Sequence, residues 1–366
     1  MRKLKAAVIG TGFIGEAHAE ALRRLPYVEL AAVVSRANGK EKAARLGAVA
    51  AFEDYREMID VCRPDCVHIC TPNHLHMETA LYALSRGIHV ICEKPLALHT
   101  EEAGKMREAA KKSGLVHAVN FHNRYYPVIH NLRNMVQDGE LGQIYTVQGG
   151  YLQDWLMYDT DFNWRILSQK SGKTRAVSDI GSHWIDLAEY VTGQRVTEVF
   201  AEFKTVHSKR KHQTPEGCRE MEVDTEDLAY FMLRFDGGAV GNGAVSMVFS
   251  GKKNQTTLQV SGSKMSAEWD NEKVEQLLLG CRGETNRIFV KDPKLAHRDT
   301  ASVIGYPAGH TEGFPDAFKH NFAAVYAAIR GEKPVQPFAT FADGCHQMEI
   351  CDKLWESART GRWVKL

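Results

Sequence analysis

The chain has 366 residues, of which 44% are hydrophobic and 25% are charged. That length suggests two folded domains, and the composition supplies a sizeable core and excludes a largely disordered chain. Lys and Arg total 46 against 45 for Asp and Glu, a balance that excludes nucleic acid or an anionic membrane surface as the main partner.

No apolar stretch approaches a membrane-spanning length, and the first four residues lead into a strand rather than a signal peptide, so we expect a cytoplasmic protein. The chain contains eight cysteines and no Cys-x-x-Cys pair. Cys62, Cys66 and Cys70 recur at every fourth position, but Pro64 interrupts any helix between the first two. We interpret them as small buried residues and predict no metal site.

The first predicted strand, residues 5–9, is followed at once by Gly-Thr-Gly-Phe-Ile-Gly and then by a helix that ends before Pro26. This placement of G-x-G-x-x-G is typical of dinucleotide-binding folds, because the glycines let the backbone approach a pyrophosphate. The helix N-terminus adds free N–H groups that attract the phosphate charge. The residues predicted to bind the cofactor here are Gly10, Gly12, Phe13, Ile14 and Gly15.

The second predicted strand, residues 30–34, ends in Ser35-Arg36. NAD-binding folds usually place an Asp or Glu about 20 residues after the glycine motif, where the carboxylate binds the adenosine ribose. A hydroxyl and a guanidinium can instead accept a 2′-phosphate, so the local chemistry favours NADP mildly. A solvent-facing arginine gives the same pattern, and both NAD and NADP stay open.

Strands and helices keep alternating to residue 119, which predicts a doubly wound parallel sheet and an NAD(P)-binding Rossmann domain over residues 1–122. Ligands of such sheets bind beyond the carboxyl ends of the strands. The loop after predicted strand 66–70 is therefore expected to meet the cofactor through Thr71, Pro72, Asn73 and His76. His74 and His76 also fit histidines at a helix start that contact no ligand.

Glu93-Lys94-Pro95 follows the predicted strand 88–92 at the same edge. Pro95 restricts the residue before it to an extended conformation, so Lys94 is aimed by its neighbour. Taken alone, the pattern fits a solvated lysine at a strand end. With a cofactor at this edge, Lys94 becomes a candidate for the cofactor, the substrate and the chemistry, and Glu93 a candidate cofactor contact.

The pattern changes in residues 123–366, where long strands follow one another without helices between them. We predict an α+β domain for substrate binding and oligomerisation, with a large, mostly antiparallel open sheet and a last helix able to pack back on the first domain. One sheet face must be covered by helices, and the other would expose apolar area unless a second subunit covers it, so we expect a homodimer or homotetramer. The basic run at residues 209–212 is interpreted as a solvated loop.

Residues 177–187 contain the highest concentration of candidate catalytic side chains in this half. If the segment is helical, Asp179, His183 and Asp186 share one face, and a carboxylate one turn from a histidine suits a general base. The same residues also fit an alternative interpretation, in which the aspartate caps the helix and the histidine is a core residue. The preceding loop contains Trp155, Trp164 and Arg165, whose rings and guanidinium suit a sugar.

The glycine motif, Glu93-Lys94-Pro95 and Asp179-x-x-x-His183, in this order, closely resemble the glucose–fructose oxidoreductase/inositol dehydrogenase (Gfo/Idh/MocA) family over nearly the whole chain. The resemblance implies a catalytic group of Lys94, Asp179 and His183. It also implies a nicotinamide contact at Asn123, a substrate contact at Tyr125, and a substrate-contacting loop around His310.

The activity expected from this resemblance is hydride transfer between a nicotinamide cofactor and a secondary alcohol of a sugar, glycoside or cyclitol. His183 would act as the base, Asp179 would orient it, and Lys94 would stabilise the substrate oxygen. One alternative is a glycosidase that oxidises its substrate transiently and eliminates the aglycone. Another is a non-catalytic cofactor-binding regulator, which would have no use for the three catalytic residues.

Overall fold

The computed structural model describes residues 2–297 and 299–366. The chain divides into two compact units. The first comprises Met1–Tyr125 and Gly313–His346, and the second comprises Tyr126–Glu312 and Gln347–Leu366. Within the described ranges, no helix combines the length and the apolar character needed to cross a membrane.

The first unit is built on a six-stranded parallel sheet with the strand order β3-β2-β1-β4-β5-β6. Its strands are β1 (Leu4–Ile9), β2 (Val28–Val34), β3 (Ala50–Phe52), β4 (Cys66–Ile69), β5 (His89–Cys92) and β6 (His117–Val119). Its helices are α1 (Phe13–Arg23), α2 (Gly39–Leu46), α3 (Tyr55–Cys62), α4 (His76–Ser85) and α5 (Thr100–Ser113). The predicted doubly wound parallel sheet is confirmed.

A later helix, α9 (Phe314–Ile329), completes the core of the first unit. Its Phe318, Phe322 and Tyr326 are buried in one cluster with the residues of β1 and β2. The sequence predicts that residues 123–366 form the second domain, whereas residues 313–346 are part of the first compact unit. The difference arises because α9 has an apolar stripe, which is buried against these strands.

The second unit contains a nine-stranded sheet in which β7 and β12 form a parallel pair and the other paired strands run antiparallel. This confirms the predicted α+β class. Its strands are β7 (Ile144–Leu152), β8 (Val196–Lys204), β11 (Leu228–Phe235), β12 (Val240–Ser246), β13 (Gln255–Gly262), β14 (Ser266–Asp270), β15 (Gln276–Gly280), β16 (Arg287–Val290) and β17 (Val364–Lys365). The remaining helices of the chain are α6 (Pro127–Gln137), α7 (Ser168–Ser171), α8 (Ser182–Thr192) and α10 (Phe341–Thr360).

One face of this sheet is covered by α8. Trp184 on that helix is fully buried, and its indole N–H donates to the carbonyl of Thr257 in β13 at 2.8 Å. Residues of β11 alternate between buried and exposed positions, so the opposite face presents Tyr230 and Met232 to solvent. The period of two thus separates a helix-covered face from an open one.

The interpretation of residues 209–212 as a solvated loop is wrong. A two-stranded hairpin of β9 (Lys209–Thr214) and β10 (Gly217–Glu222) occupies this stretch, and Arg210 is fully buried. Its neighbours Lys209 and Lys211 remain exposed and pair with surface carboxylates. Composition alone misses this, because a strand turns alternate residues to opposite sides.

Candidate active site

The glycine turn joins β1 to α1, and each of its glycines has a different reason to lack a side chain. Gly10 has φ +97°, and a Cβ there would lie 2.6 Å from the carbonyl oxygen of Cys70. A Cβ on Gly15 would lie 1.9 Å from the carbonyl oxygen of Gly10. The protein's own packing therefore requires these two glycines.

Gly12 differs, because a Cβ at this position would have no described protein atom within 4 Å. Its backbone is extended, with φ −78°, and no side chain caps the helix that begins at Phe13. Open space beside an uncapped helix N-terminus fits a pyrophosphate. Phe13 is exposed and Ile14 half-buried at this mouth.

Ser35 at the end of β2 is already fully hydrogen-bonded within the protein. Its hydroxyl accepts from the Thr11 hydroxyl at 2.8 Å and from Lys42 Nζ at 3.2 Å, and donates to the Ala37 carbonyl at 2.8 Å. A hydroxyl has one donor and two acceptor positions, so no capacity remains for a phosphate. The cations at this strand end are the exposed Arg36, which the sequence predicts, and the half-buried Lys42, which the sequence pattern did not single out.

The buried polar atoms of the first unit that have no hydrogen-bond partner among the described residues include Thr71 Oγ1 and Asn123 Nδ2. Both belong to residues that the sequence predicts as cofactor contacts. Buried polar atoms are normally paired, so an unpaired hydroxyl and an unpaired amide donor indicate a place for an outside ligand. The residues present therefore fit a bound dinucleotide.

His76 lies between two of the predicted loops and is fully buried. Its Nε2 is 2.8 Å from the carbonyl oxygen of Thr71, and its Nδ1 is 3.0 Å from the carbonyl oxygen of Pro95. Burial lowers the pKa of His76. Because both ring nitrogens contact backbone, the geometry favours a bridge that holds the two loops together over a direct cofactor ligand.

These contacts bring together three predicted loops of the first unit. Gly10 lies against Cys70 and Thr71, and His76 joins Thr71 to the Glu93-Lys94-Pro95 loop, in which the Lys94–Pro95 peptide is cis. Within the Thr71 loop, Pro72 is half-buried, Asn73 is buried and His74 is exposed. The predicted edge of the sheet is thus one continuous surface.

Glu93 anchors the Glu93-Lys94-Pro95 loop, which we call the lysine loop. Its buried carboxylate accepts a hydrogen bond from His18 Nε2 at 2.9 Å and another from the Asn120 amide. Burial alone would raise the pKa of Glu93, but the hydrogen bond and charge of His18 outweigh it and hold that pKa at about 2. Glu93 is therefore an anion at neutral pH, which excludes it as a general acid and leaves it to fix the backbone at Lys94.

The His18 ring extends this anchor into the core. Its Nδ1 is 2.9 Å from Nδ1 of His68, whose Nε2 is 3.1 Å from the Tyr326 hydroxyl. Burial lowers the pKa of His68 far below its usual value. A neutral His68 has one N–H and one acceptor nitrogen, so it can hydrogen-bond to His18 and to Tyr326 at the same time. Sequence reasoning missed this chain, because its members come from four separate elements.

Lys94 is half-buried, and its backbone N–H donates to the Glu93 carboxylate at 3.2 Å. Tyr125 is buried at the end of a 3₁₀ turn over His122–Tyr125, the turn that also contains Asn123. The main chain thus fixes the direction of the lysine, while its side chain stays partly accessible. That combination suits a cation presented to a ligand.

In the second unit, the predicted helical segment begins with a π turn over Val177–Gly181 and continues as α8 from Ser182. Asp179 lies in the π turn, and His183 lies in the first turn of α8, where it is buried. The π turn replaces the regular offset of four that we expected, and such turns recur at functional sites. Asp186 is also buried on α8.

The start of this segment is held by Glu226. Its Oε1 accepts from the backbone N–H groups of Arg175 and Val177 at 2.8 and 2.9 Å. Burial raises the pKa of Glu226 to about 7. A carboxyl group here satisfies two of the donors that a helix start leaves open.

The structure brings Arg165 to Asp179, with 3.5 Å between Nε and Oδ2, and the Arg165 guanidinium lies over the Trp164 ring at 4.6 Å. Tyr151 at the end of β7 adds a hydroxyl that the sequence pattern did not indicate. Its ring lies 6.3 Å from that of His183, and burial, followed by the charge of Asp179, raises the pKa of Tyr151. An acid, a histidine, a guanidinium and a phenol therefore share one region.

Two other predicted substrate contacts, Trp155 and His310, lie in loops of the second unit. Trp155 is half-buried, and its indole N–H donates to Gln153 at 2.8 Å. His310 is exposed, and its carbonyl oxygen accepts from Nζ of Lys291 at 2.7 Å. Lys291 is buried and pairs with Glu275 and Glu312, each at 2.7 Å. The His310 loop is therefore held by a buried ion cluster.

Both parts of the chain are similar to known proteins. A family model described as an oxidoreductase family with an NAD-binding Rossmann fold (GFO_IDH_MocA) matches residues 4–121, and the model of the GFO/IDH/MocA C-terminal domain matches residues 129–268. Levoglucosan dehydrogenase of Pseudarthrobacter phenanthrenivorans is 31% identical over 399 residues, which cover 100% of this chain and 98% of that protein. D-glucoside 3-dehydrogenase of Escherichia coli is 31% identical over 65% of this chain and 68% of its own length.

Solved structures give the same result for the fold. Levoglucosan dehydrogenase in complex with NADH and L-sorbose superposes with a TM-score of 0.92 at 29% identity, covering 100% of this chain and 99% of that one. An inositol dehydrogenase homolog from Azotobacter vinelandii, complexed with NAD+, superposes with a TM-score of 0.88 at 26% identity over 100% of this chain and 98% of its own.

Proposed function

The chain belongs to the Gfo/Idh/MocA family of oxidoreductases, and we propose that it oxidises a secondary alcohol of a sugar, glycoside or cyclitol. One observation carries this proposal: Asp179 forms an ion pair with Arg165. Asp179 lies in the π turn that comes directly before the helix containing the buried His183. An acid, a base and a guanidinium in one region suit a substrate that must lose a hydroxyl proton and be held by its other hydroxyls.

Each of the three catalytic residues has one role in the proposal. His183 accepts the hydroxyl proton, and the charge of Asp179 stabilises the imidazolium that forms. Lys94 donates to the substrate oxygen and stabilises the charge that develops there. Trp155, Trp164, Arg165, Tyr125 and His310 are proposed to hold the substrate. When bound, the nicotinamide supplies the hydride acceptor.

For the cofactor, the proposal assigns the pyrophosphate to the turn at Gly10, Gly12 and Gly15 and the nicotinamide end to Asn123. The Rossmann fold is NAD-binding, and relatives have been solved with NADH and NAD+. We propose that Arg36 and Lys42 also let the protein use NADP, because two cations face the strand end where an acidic residue would repel a 2′-phosphate. Ser35 takes no part, since its hydroxyl is saturated.

A substrate panel tests the function. We expect purified protein to reduce a nicotinamide cofactor with at least one polyol, aldose or glycoside, followed by the absorbance of the reduced form with NAD+ and NADP+ in parallel. Arg36→Ala should raise KM for NADP+ by about 10-fold and leave KM for NAD+ within about 2-fold, because one charge-assisted contact is lost. Arg23→Ala, on α1 of the same unit, serves as the control.

The panel also separates the alternatives. Cleavage of a glycoside with no net change in reduced cofactor would show a glycosidase activity in place of the proposed dehydrogenase activity. The named relatives do not favour that alternative. Tight cofactor binding without turnover on any compound would point to the regulator. The cytoplasmic location expected from the sequence remains part of the proposal.

We further propose that a second copy of the chain covers the open face of the nine-stranded sheet. Tyr230, Met232 and Val240 are 59%, 43% and 55% exposed there, a contiguous apolar area that an isolated chain would leave in water. Light scattering should give two or four times the chain mass of 41.0 kDa. Tyr230→Glu combined with Met232→Glu should give a single-chain mass, whereas Leu295→Glu, at an exposed leucine elsewhere, should not. A single-chain mass for the unaltered protein would refute the proposal.

A further inference from the structure

Arg210 is a buried cation in a strand whose neighbouring basic residues are exposed. Its side chain has no exposed surface, and four of its hydrogen bonds reach atoms of other segments. Burying a guanidinium is costly unless it is paired and hydrogen-bonded, so such a residue normally holds something in place. Neither the family motifs nor the proposed catalytic group includes Arg210.

Three of these hydrogen bonds go to the loop that contains Trp155, Trp164 and Arg165, which we call the aromatic loop (residues 153–165). The guanidinium donates from Nη1 to the carbonyls of Tyr158 and Asp161 at 2.7 and 3.1 Å, and from Nη2 to the carbonyl of Leu156 at 2.9 Å. A planar fork of five donors can hold these three carbonyls and a carboxylate at once, whereas an ammonium group has only three donors.

The rest of the hairpin strengthens this grip. The backbone N–H of Lys211 donates to the carbonyl of Asp159 at 2.8 Å, and the rings of His212 and Phe162 stack with their centroids 3.6 Å apart. His207, just before β9, contacts the carbonyl of Met157 at 3.0 Å through Nε2. The aromatic loop has no strand or long helix of its own, so the hairpin contributes to its rigidity, in addition to the backbone hydrogen bonds of Gln153 and Leu156 to Ser246 and Met247.

The fourth hydrogen bond of Arg210 goes to Asp227, which is fully buried and also accepts from Arg175. Arg175 lies two residues before the start of the π turn, and its Nε donates to the carbonyl of Glu226 at 3.2 Å. Asp227 is therefore shared by two guanidinium groups, one fixed to the aromatic loop and one at the start of the segment that contains Asp179 and His183.

Resting on the proposed function, we propose that Arg210 is a positioning residue that sets the aromatic loop against the Asp179–His183 segment and so determines affinity for the sugar. Arg210, Asp227 and Arg175 form a continuous buried link between the two. The Arg165–Asp179 ion pair joins the same two segments, so a shift of the loop changes the groups that would bind the substrate hydroxyls. Substrate binding, and not proton transfer, then depends on Arg210.

The test compares Arg210→Lys and Arg210→Met with Arg219→Met, an exposed arginine on β10 of the same hairpin that pairs with Glu216. In Arg210→Lys, we expect faster backbone hydrogen exchange in peptides covering residues 153–165. We also expect KM for the sugar to rise by about 10-fold or more, kcat to stay within about 3-fold, and the Kd for NADH to stay unchanged. Arg210→Met should raise the exchange rate and KM further, and Arg219→Met should change neither of them.

Two results would overturn the proposal. One is unchanged exchange in residues 153–165 of the folded Arg210→Lys protein. The other is a loss in which kcat falls as much as kcat/KM, which would place Arg210 in the chemical step or in general folding. The exchange measurement needs no substrate, so it decides the positioning role even if the panel finds no sugar that turns over. Where Arg210→Met fails to fold, the Arg210→Lys protein supplies the result.

Discussion

Replacing Lys94 by Met is expected to lower kcat by about 10²–10⁴-fold while the Kd for NADH stays within about 2-fold. The methionine keeps the length of the side chain and removes its ammonium group, so the substrate oxygen loses the donor proposed to stabilise its charge. Stopped-flow single turnovers measure the chemical step directly, and quenching of protein fluorescence by NADH measures cofactor binding.

The matched control is Lys105→Met on α5, a lysine whose exposed side chain pairs with Glu101. It removes a lysine charge from the same unit and should leave kcat unchanged. Near-normal turnover of Lys94→Met on a confirmed substrate would remove Lys94 from the mechanism. Glu93→Gln gives a further check, because loss of the anion anchored by His18 and Asn120 should release the lysine loop without removing the lysine.

Replacing His183 by Ala is expected to cost about 10²–10⁴-fold in kcat, because the hydroxyl proton loses its acceptor. Asp179→Asn should lower kcat less and move the acid limb of the pH profile of kcat/KM to lower pH. The reason is that a carboxylate favours the charged form of a neighbouring imidazole, and the base works only in its neutral form. Removing that carboxylate lets the imidazole stay neutral at lower pH.

The control for His183→Ala is His130→Ala on α6. Both histidines are 3% exposed, and His130 contacts Asp299 at 2.9 Å. Loss of a buried histidine should lower the thermal midpoint in both variants, while only His183→Ala should lose the chemical step. Equal losses of turnover in both would mean that His183 acts through stability. An acid limb that stays in place in Asp179→Asn would contradict the assigned role of the aspartate.

Much of the first unit could be predicted from sequence because its determinants are local. A strand, a glycine turn and a helix within residues 4–23 fix the dinucleotide motif, and the similarity of the whole chain to named dehydrogenases confirms the predicted family and enzyme class. A capping box over residues 340–343 is local in the same way, since Thr340 and Asp343 hydrogen-bond to each other's backbone N–H groups.

The second unit was less predictable where function depends on detail. The spacing of Asp179 and His183 indicates a helix, but it does not reveal that the helix opens with a π turn. The sequence of the basic run at residues 209–212 is equally compatible with a loop and with a strand that buries Arg210. In both places the conformation depends on segments far along the chain, which supply the partners.

The sequence by itself determined the glycine turn, the lysine loop and the acid–histidine segment, because each consists of a few neighbouring residues. The class of reaction followed from the order of these three motifs and from the family that they resemble. Only the tertiary structure decided how they are held. His18 reaches Glu93 across 75 positions, and Arg210 reaches Leu156 across 54. A buried charge must find a partner wherever the fold brings one, so such pairs follow from packing and not from a local pattern.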